Sequence, residues 1–397
     1  MININHGKSL LQDVVANAEQ VGANDAEKCF ITSAHFAALN LTHDWLIEKV
    51  MVSGEPLVIG GPKKSLKTSI VVDLAISLAA GFNTQFLKKF DVPKPRKVGL
   101  ISGESGKTTL RKKARTICNE KSLNLENLSL HWRFQMPKFG NKLEIEELSE
   151  LIKTHRFEVV IFDPMYLGLL AENPNANAGN VLHMGPLLQS VVNTCLPYGC
   201  TPILVHHTRK LGQRDGNRPL DLDDLSQSGF AEFARQWVLL SRRSDFLDGS
   251  GKHELWMRCG GSAGHSSLWG VDVDEGHVQD GISAGTWNVQ VKSSKSIRDE
   301  KEVETNEKAK NKLKKLENEI LVYLEQHPEG DTKTGIREAL GVSSTVISQG
   351  IAAALDRELI KNTMVMKNNK SHAGYVLRGG VAGHPDNPDG HVCSAGS

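Results

Sequence analysis

One stretch decides the fold: Leu57-Val58-Ile59-Gly60-Gly61-Pro62-Lys63-Lys64-Ser65-Leu66-Lys67-Thr68-Ser69-Ile70-Val71-Val72-Asp73-Leu74-Ala75. A short apolar run, a glycine-containing turn and a further apolar segment at helical spacing predict a strand, a loop and a helix. In this order the backbone N–H groups of the loop and of the helix N-terminus point at one anion. We therefore expect a Walker A phosphate loop with contacts from Gly60, Gly61, Pro62, Lys63, Lys64, Ser65, Leu66, Lys67, Thr68 and Ser69.

The loop departs from the usual spacing at one position. Gly61 opens it and Lys67-Thr68 close it, but Leu66 stands where a second glycine is expected. A leucine adopts a positive φ only at an energetic cost, so the loop must either turn differently or store strain. The segment 106–108 also ends in Gly-Lys-Thr, but its opening position, Ile101, lies inside an apolar run, so it ranks second.

Polar residues follow three more apolar runs downstream of the loop. The runs 98–102, 159–162 and 202–205 lead to Glu104, Asp163 and the pair His206-His207. Parallel sheets bind ligands at the carboxyl ends of their strands, and their strands are buried on both faces. The sequence therefore predicts an α/β fold with a mostly parallel sheet. Short strands near 253–258, 267–273 and 287–291 predict an antiparallel extension at one edge.

Length and composition exclude several classes of protein. The chain has 397 residues, which is enough for more than one domain, and a net charge of +1, which gives no overall nucleic-acid signature. Its six cysteines lack metal-type spacing and the density of a disulfide scaffold. No apolar run reaches the roughly 18 residues of a membrane span. We expect a cytoplasmic protein with no membrane partner.

Changes in composition along the chain predict five segments. They are an N-terminal arm at 1–41, a first domain at 42–292, a charged linker at 293–312, a second domain at 313–378 and a disordered tail at 379–397. We expect the arm to pack on its own domain or on a neighbouring subunit. The linker is densely charged and is expected to become helical towards its end, and the segment 172–179 within the first domain is expected to be a flexible loop.

The second domain combines three helical patterns with a hairpin. Helices are predicted at 320–324, at 334–340 and from Ser343 onwards, followed by strands at 359–361 and 374–378 whose connection, 367–370, is basic. This order is typical of a winged helix-turn-helix, which binds duplex DNA or docks on proteins. The basic helix predicted at 107–121 offers a further DNA contact, although a solvated face is the simpler explanation.

The residues of the first domain predict nucleotide hydrolysis with ATP and Mg²⁺. Lys67 would neutralise the β- and γ-phosphates, and Thr68 would hold Mg²⁺ with Asp163, directly or through water. Glu104 is placed to orient and deprotonate the attacking water, and His206 or His207 would sense the γ-phosphate. Each residue alone is more simply a satisfied polar group at a strand end, but their joint appearance favours the site.

The sequence resembles the RecA-fold ATPases of the RepA-type hexameric helicase group, which sit beside the DnaB-type replicative helicases. The resemblance covers roughly 42–291 and rests on the segments 61–69, 103–104, 162–164, 206–208 and 228–243. It implies that Glu104 is the catalytic base and that an arginine finger acts on the neighbouring subunit's nucleotide. Arg242 is the best positional match for that finger, Arg235 and Arg243 are substitutes, and Arg258 resembles the basic residue that works with it.

The same resemblance implies DNA as a partner, single-stranded at an ATPase ring or duplex at the winged helix, and a homo-oligomer, with a hexamer favoured. Helicase activity is implied by the resemblance alone. Three alternatives stay open: an ATP-switched DNA-binding regulator, a filament-forming recombination or repair ATPase, and a metal hydrolase built on His206-His207. The last is the weakest, since no carboxylate or cysteine accompanies the two histidines at ligand spacing.

Overall fold

The structure is a computed structural model of the chain. It describes residues 30–171, 180–209, 217–226, 229–279, 282–283 and 285–379. The chain divides into two compact units, Met1–Ser296 and Ile297–Ser397. The loop predicted at 172–179, Ser228, and the tail from residue 380 lie outside the described residues, as does the arm before residue 30.

The strands of both units are numbered in chain order. They are β1 Trp45–Ile47, β2 Met51–Val52, β3 Leu57–Gly61, β4 Gln85–Phe86, β5 Phe90–Asp91, β6 Val98–Ser102, β7 Leu130–Arg133, β8 Val159–Asp163, β9 Thr201–His207, β10 Gln236–Arg242, β11 Lys252–Gly261, β12 Ser266–Asp274, β13 Val278–Gln279, β14 Ile282–Ser283, β15 Asn288–Ser293, β16 Asp331–Thr332, β17 Ile360–Lys367 and β18 Lys370–Leu377.

The first unit is built on a nine-stranded sheet in the order β15-β12-β11-β10-β3-β9-β8-β6-β7. Neighbouring strands from β10 to β7 are parallel, and β11, β12 and β15 extend the sheet in antiparallel fashion. Every residue of β3, β6 and β8 is buried, as expected of strands covered on both faces. The predicted α/β class, with a parallel core and an antiparallel edge, is confirmed.

The helices follow the apolar patterns of the sequence. They are α1 Ser33–Ala38, α2 Lys67–Ala80, α3 Lys107–Glu120, α4 Lys142–His155, α5 Tyr166–Leu170, α6 Val181–Cys195, α7 Phe230–Phe233, α8 Ser294–Gln326, α9 Lys333–Leu340 and α10 Ser344–Asp356.

Helix α2, which follows the phosphate loop, is deeply buried. Only Thr68 of its 14 residues is not buried. The helix ends at Gly81, whose φ of 63° suits a residue without a Cβ. Helices α2 and α3 contribute to the core on one face of the sheet, and α4 and α6 to the core on the other.

A buried carboxylate connects α2 to its surroundings. The Asp73 side chain is fully buried and accepts hydrogen bonds from Ser77 Oγ at 3.1 Å, Leu87 N at 3.2 Å and Trp287 Nε1 at 2.6 Å. Lys121, whose side chain is 2% exposed, lies 3.2 Å from the same carboxylate. Because several donors satisfy it, this buried charge ties α2 to the end of α3 and to the antiparallel edge.

One element of the first unit differs from the sequence prediction. Apolar residues at helical spacing in the segment 230–237 favour a helix up to Trp237, but α7 spans only Phe230–Phe233, and Gln236 and Trp237 belong to β10. The Gln236 side chain is buried and bonds the backbone of Val52, through both its oxygen and its nitrogen at 2.8 Å, and the carbonyl of Glu55 at 2.7 Å. These hydrogen bonds to residues distant in sequence favour the strand conformation at Gln236 and Trp237 over a longer helix.

The second unit contains most of α8, then β16, α9, α10 and the hairpin β17–β18. Its sheet has the order β16-β18-β17. Ser343 caps α10 by accepting from Val346 N at 3.4 Å, and Gly341 ends α9 in a left-handed conformation, both at the predicted positions. The hairpin is longer than predicted because its strands pair up to Lys367 and Lys370.

The predicted linker also differs from the structure. Residues 293–312 were expected to be irregular at first, whereas α8 is helical from Ser294 to Gln326 without interruption. Pairs one turn apart support the exposed part of the helix, with Glu304 and Lys308 at 2.6 Å and Lys315 and Glu319 at 3.9 Å.

Candidate nucleotide site

The phosphate loop connects β3 to α2 and turns through two left-handed residues. Lys64 has a φ of 61° and Leu66 a φ of 58°, so the leucine takes the conformation expected of the missing glycine. The loop therefore keeps its usual turn and stores strain at Leu66, which packs partly buried against the core on the α2 face. Gly61 cannot be replaced as easily, since a Cβ there would lie 2.7 Å from the carbonyl oxygen of Leu240.

Lys67 lies at the centre of this loop. It is 7% exposed, and its Nζ donates to the carbonyl oxygens of Gly61 at 2.8 Å and Pro62 at 2.6 Å. Burial lowers the pKa of Lys67 to about 8, against the opposing effect of the carboxylates of Asp163 and Glu104. The ammonium group thus lies inside the loop, where phosphate oxygens would compete with the two carbonyls for its protons.

Thr68 and Asp163 form the candidate Mg²⁺ site. Asp163 ends β8, is buried and is hydrogen-bonded to the Thr68 side chain. Burial raises the pKa of Asp163 to about 6, although the hydrogen bond from Thr68 and the charge of Lys67 oppose the increase. A hydroxyl and a carboxylate side by side fit Mg²⁺, which takes oxygen ligands and commonly keeps few protein ligands beside water and phosphate. Among the described residues no cluster of His, Cys, Asp or Glu forms a complete metal site.

Glu104 follows β6 and lies across the pocket from the loop. Its carboxylate is exposed, and Oε1 accepts a hydrogen bond from the hydroxyl of Tyr166. Strands β6 and β8 are parallel neighbours with Ser102 opposite Asp163, which explains why the residues after both strands meet. Glu104 and Asp163 therefore lie at the same edge of the sheet, and the role of Glu104 as a base stays a prediction.

The two histidines that end β9 have different environments. His207 lines the pocket of the phosphate loop, and burial together with the charge of Lys67 lowers its pKa. His206 is 1% exposed, its Nε2 lies 2.8 Å from the carbonyl oxygen of Ser226, and its ring stacks on Phe230 at 3.7 Å. The sequence did not decide which of the two histidines would contact the γ-phosphate, and in the structure only His207 lines the pocket.

Of the four candidate arginines, Arg242 is the one beside the phosphate loop. Its guanidinium donates to the carbonyl oxygen of Lys64 at 2.9 Å and lies 5.0 Å from the ring of Phe246. Because β10 pairs in parallel with β3, the end of β10 lies next to the loop. Arg242 therefore contacts the phosphate loop of its own chain at Lys64, although it does not line the pocket itself.

The other three arginines lie away from that pocket. Arg235 is exposed before β10, seven residues earlier than Arg242, which corresponds to about 23 Å along a strand. Arg243 forms ion pairs with Asp272 and, at 3.5 Å, with Glu254. Arg258 forms an ion pair with Asp221. Contacts of these arginines with the nucleotide of a neighbouring subunit, which the resemblance implies, stay a prediction.

The phosphate loop, Glu104, Asp163 and His207 line a pocket of about 390 Å³ at the carboxyl ends of the parallel strands. Sequence reasoning missed two of its neighbours, Tyr166 and Lys113. The Nζ of Lys113 donates to Ser69 Oγ at 2.7 Å and lies 3.4 Å from Glu275. The sequence showed that Lys113 belongs to a basic helix, but it did not show that its side chain lies towards the phosphate loop. The residues that line the pocket are Lys63, Lys64, Ser65, Leu66, Lys67, Thr68, Ser69, Glu104, Lys113, Asp163, Pro164 and His207.

Comparisons with known proteins give a match to one family model and to many solved structures, two of which are described below. Residues 31–213 match the family model described as an AAA domain. No curated protein matches the sequence. A KaiC-like protein from the hyperthermophilic archaeon Pyrococcus horikoshii OT3 is 14% identical, with a TM-score of 0.39 over 62% of this chain and 93% of that chain. The RadB recombinase is 12% identical, with a TM-score of 0.37 over 58% of this chain and 89% of that chain.

The AAA-domain match includes the phosphate loop, Glu104, Asp163 and His207. These are the groups that the sheet brings together at one pocket. The match to an AAA domain and the pocket at the phosphate loop therefore fall on the same part of the first unit. Within the described ranges, none of the helices is long and apolar enough to cross a bilayer.

Proposed function

We propose that the protein is a Mg²⁺-dependent ATPase that acts on DNA. The observation that supports this most strongly is the convergence of the Lys67 ammonium, the Thr68–Asp163 oxygen pair and the Glu104 carboxylate on one phosphate loop. Three sequence-distant elements supply these groups, and each has the charge that phosphoryl transfer requires at its position.

In this proposal the chain's residues divide the work of hydrolysis. The loop N–H groups and Lys67 bind the phosphates, and Thr68 and Asp163 hold Mg²⁺, which supplies positive charge to the phosphate oxygens when it is bound. Glu104 accepts a proton from the water that attacks the γ-phosphorus. The bond to the β–γ bridging oxygen breaks, and ADP leaves with that electron pair. His207 lies where it can contact the γ-phosphate, and Arg242 adds charge from the side of Lys64.

The proposal extends to the second unit, which we interpret as a winged helix. The order of helix, short strand, two helices and hairpin, with the middle position of β18 in its sheet, supports this interpretation. Cations lie on the hairpin at Lys361 and Lys370, both of them exposed. A helicase or related replication motor, assembled as a homo-oligomer with a hexamer favoured, is the specific form implied by the resemblance to RepA-type enzymes.

A regulator that binds specific DNA and is switched by ATP is the second candidate. The observation that favours it is the exposed surface of α10, which presents Ser344, Thr345 and Gln349 and carries no cation of its own. Small hydroxyl and amide side chains on a helix suit the reading of base edges more than uniform phosphate binding.

Glu104→Gln tests the ATPase proposal. The variant should bind a fluorescent ATP analogue as tightly as wild type but lose at least about a hundredfold in hydrolysis, because the amide cannot accept the proton. Hydrolysis that survives the change would remove Glu104 from the mechanism.

DNA binding is tested with the full chain carrying Lys361→Glu and Lys370→Glu. A weaker affinity with a smaller salt dependence supports contact by the hairpin. Unchanged affinity would exclude this surface, and a footprint on one sequence would favour the regulator over the motor.

A further inference from the structure

Tyr166 lies where the ends of three parallel strands meet. It starts α5 shortly after Asp163, the last residue of β8. Its hydroxyl donates a hydrogen bond to Glu104 Oε1, beyond the end of β6. Its ring centroid is 5.7 Å from that of His207, the last residue of β9, at an interplanar angle of 41°. One aromatic side chain therefore touches the two polar residues predicted to handle water and the γ-phosphate.

The sheet fixes this arrangement. Strand β8 is hydrogen-bonded to β6 on one side and to β9 on the other. A residue just beyond β8 therefore lies between the residues beyond its two neighbours. Glu104 and Tyr166 are 62 residues apart in sequence, which is why sequence reasoning did not connect them.

In this hydrogen bond the phenol of Tyr166 is the donor and the carboxylate oxygen of Glu104 is the acceptor. The hydrogen bond to Glu104 is the largest cause that raises the pKa of Tyr166 to about 12, followed by burial. At neutral pH the phenol therefore keeps its proton. One carboxylate oxygen is held by the phenol, and the other can accept a proton from water.

We propose that Tyr166 is a positioning residue for ATP hydrolysis, which fixes the orientation of the Glu104 carboxylate towards the attacking water. The inference rests on the proposed role of Glu104 as the base. Glu104 is exposed and has a long, flexible side chain, so without a partner it samples several rotamers. A base that spends most of its time in unproductive orientations loses rate even though its chemistry is intact.

Tyr166→Phe tests the proposal in the full chain, because it removes only the hydroxyl. We expect kcat to fall roughly tenfold while KM changes by less than about twofold, since the orientation of the base is lost and the phosphate contacts are kept. Tyr198→Phe is the matched control, as Tyr198 is 42% exposed on the turn after α6 and should leave kcat unchanged.

A double-mutant cycle separates positioning through Glu104 from a general structural effect. In the Glu104→Gln background, adding Tyr166→Phe should leave the rate of single-turnover hydrolysis unchanged, because there is no base left to orient. A Tyr166→Phe effect of equal size in both backgrounds would overturn the proposal, as would an unchanged kcat in the wild-type background. If wild type itself does not hydrolyse ATP, the proposed function fails instead, and the two failures are distinguishable.

Discussion

The backbone strain at Leu66 predicts which of two variants at this position is the more stable. Leu66 has a φ of 58° and a ψ of 18°, which is the left-handed region. Comparing Leu66→Ala with Leu66→Gly isolates this strain, because both changes remove the same packing beyond Cβ. A Cβ in this region costs roughly 1–2 kcal/mol, whereas glycine loses about 0.5–1 kcal/mol more conformational free energy on folding. We expect the glycine variant to be the more stable by about 0.5–1 kcal/mol.

Arg115 provides the control because it is exposed inside α3. The Arg115→Gly variant should be less stable than Arg115→Ala by about 1 kcal/mol. The difference between the glycine and alanine variants therefore has opposite signs at positions 115 and 66.

Tryptophan fluorescence during urea unfolding is the suitable assay. All six tryptophans lie before residue 297, so the signal reports on the first unit alone. In thermal unfolding each 1 kcal/mol corresponds to roughly 2–4 °C in Tm. A Leu66→Ala variant more stable than Leu66→Gly would refute the assignment of strain to this position.

Two further predictions concern buried polar groups. Asp73→Ala leaves the Lys121 ammonium and the Trp287 N–H without their buried acceptor. It should therefore lower the free energy of unfolding by about 3–5 kcal/mol in the same assay, while Asp73→Asn should lower it less. A variant as stable as wild type would mean that the network contributes little. Burial lowers the pKa of His206 from 6.5 to about 4, so the unfolded chain takes up this proton first and stability should fall by up to about 3 kcal/mol as the pH drops from 6.5 to 4. His206→Gln should remove that part of the pH dependence, and an unchanged slope would contradict it.

The parallel core was predictable because its strands are continuous apolar runs that end in polar residues. Each of β3, β6 and β8 is buried throughout, so burial on both faces left a strong local signal. Glu104, Asp163 and His207 could be placed at one edge for the same reason. The state of Leu66 could not be decided from the sequence, since its strain is offset by the burial of α2 around it.

Other features depended on contacts that local patterns do not contain. Phe230, Phe233, Ala234 and Trp237 have helical spacing, but the bonds of Gln236 to Val52 and Glu55 place the following residues in β10. In α8 the scarcity of apolar residues suggested an irregular linker, whereas pairs such as Glu304–Lys308 support a helix. The position of His206 in the core follows from its contacts with Ser226 and Phe230, which are also distant in sequence.

Steady-state ATP hydrolysis by the purified chain, with and without single-stranded DNA, tests the central claim most directly. The account predicts Mg²⁺-dependent hydrolysis that increases several-fold with DNA and disappears in Lys67→Ala, because the loop loses the buried ammonium group that neutralises the phosphates. A folded wild-type protein that binds DNA but hydrolyses no ATP, or a Lys67→Ala variant that is as active as wild type, would contradict it.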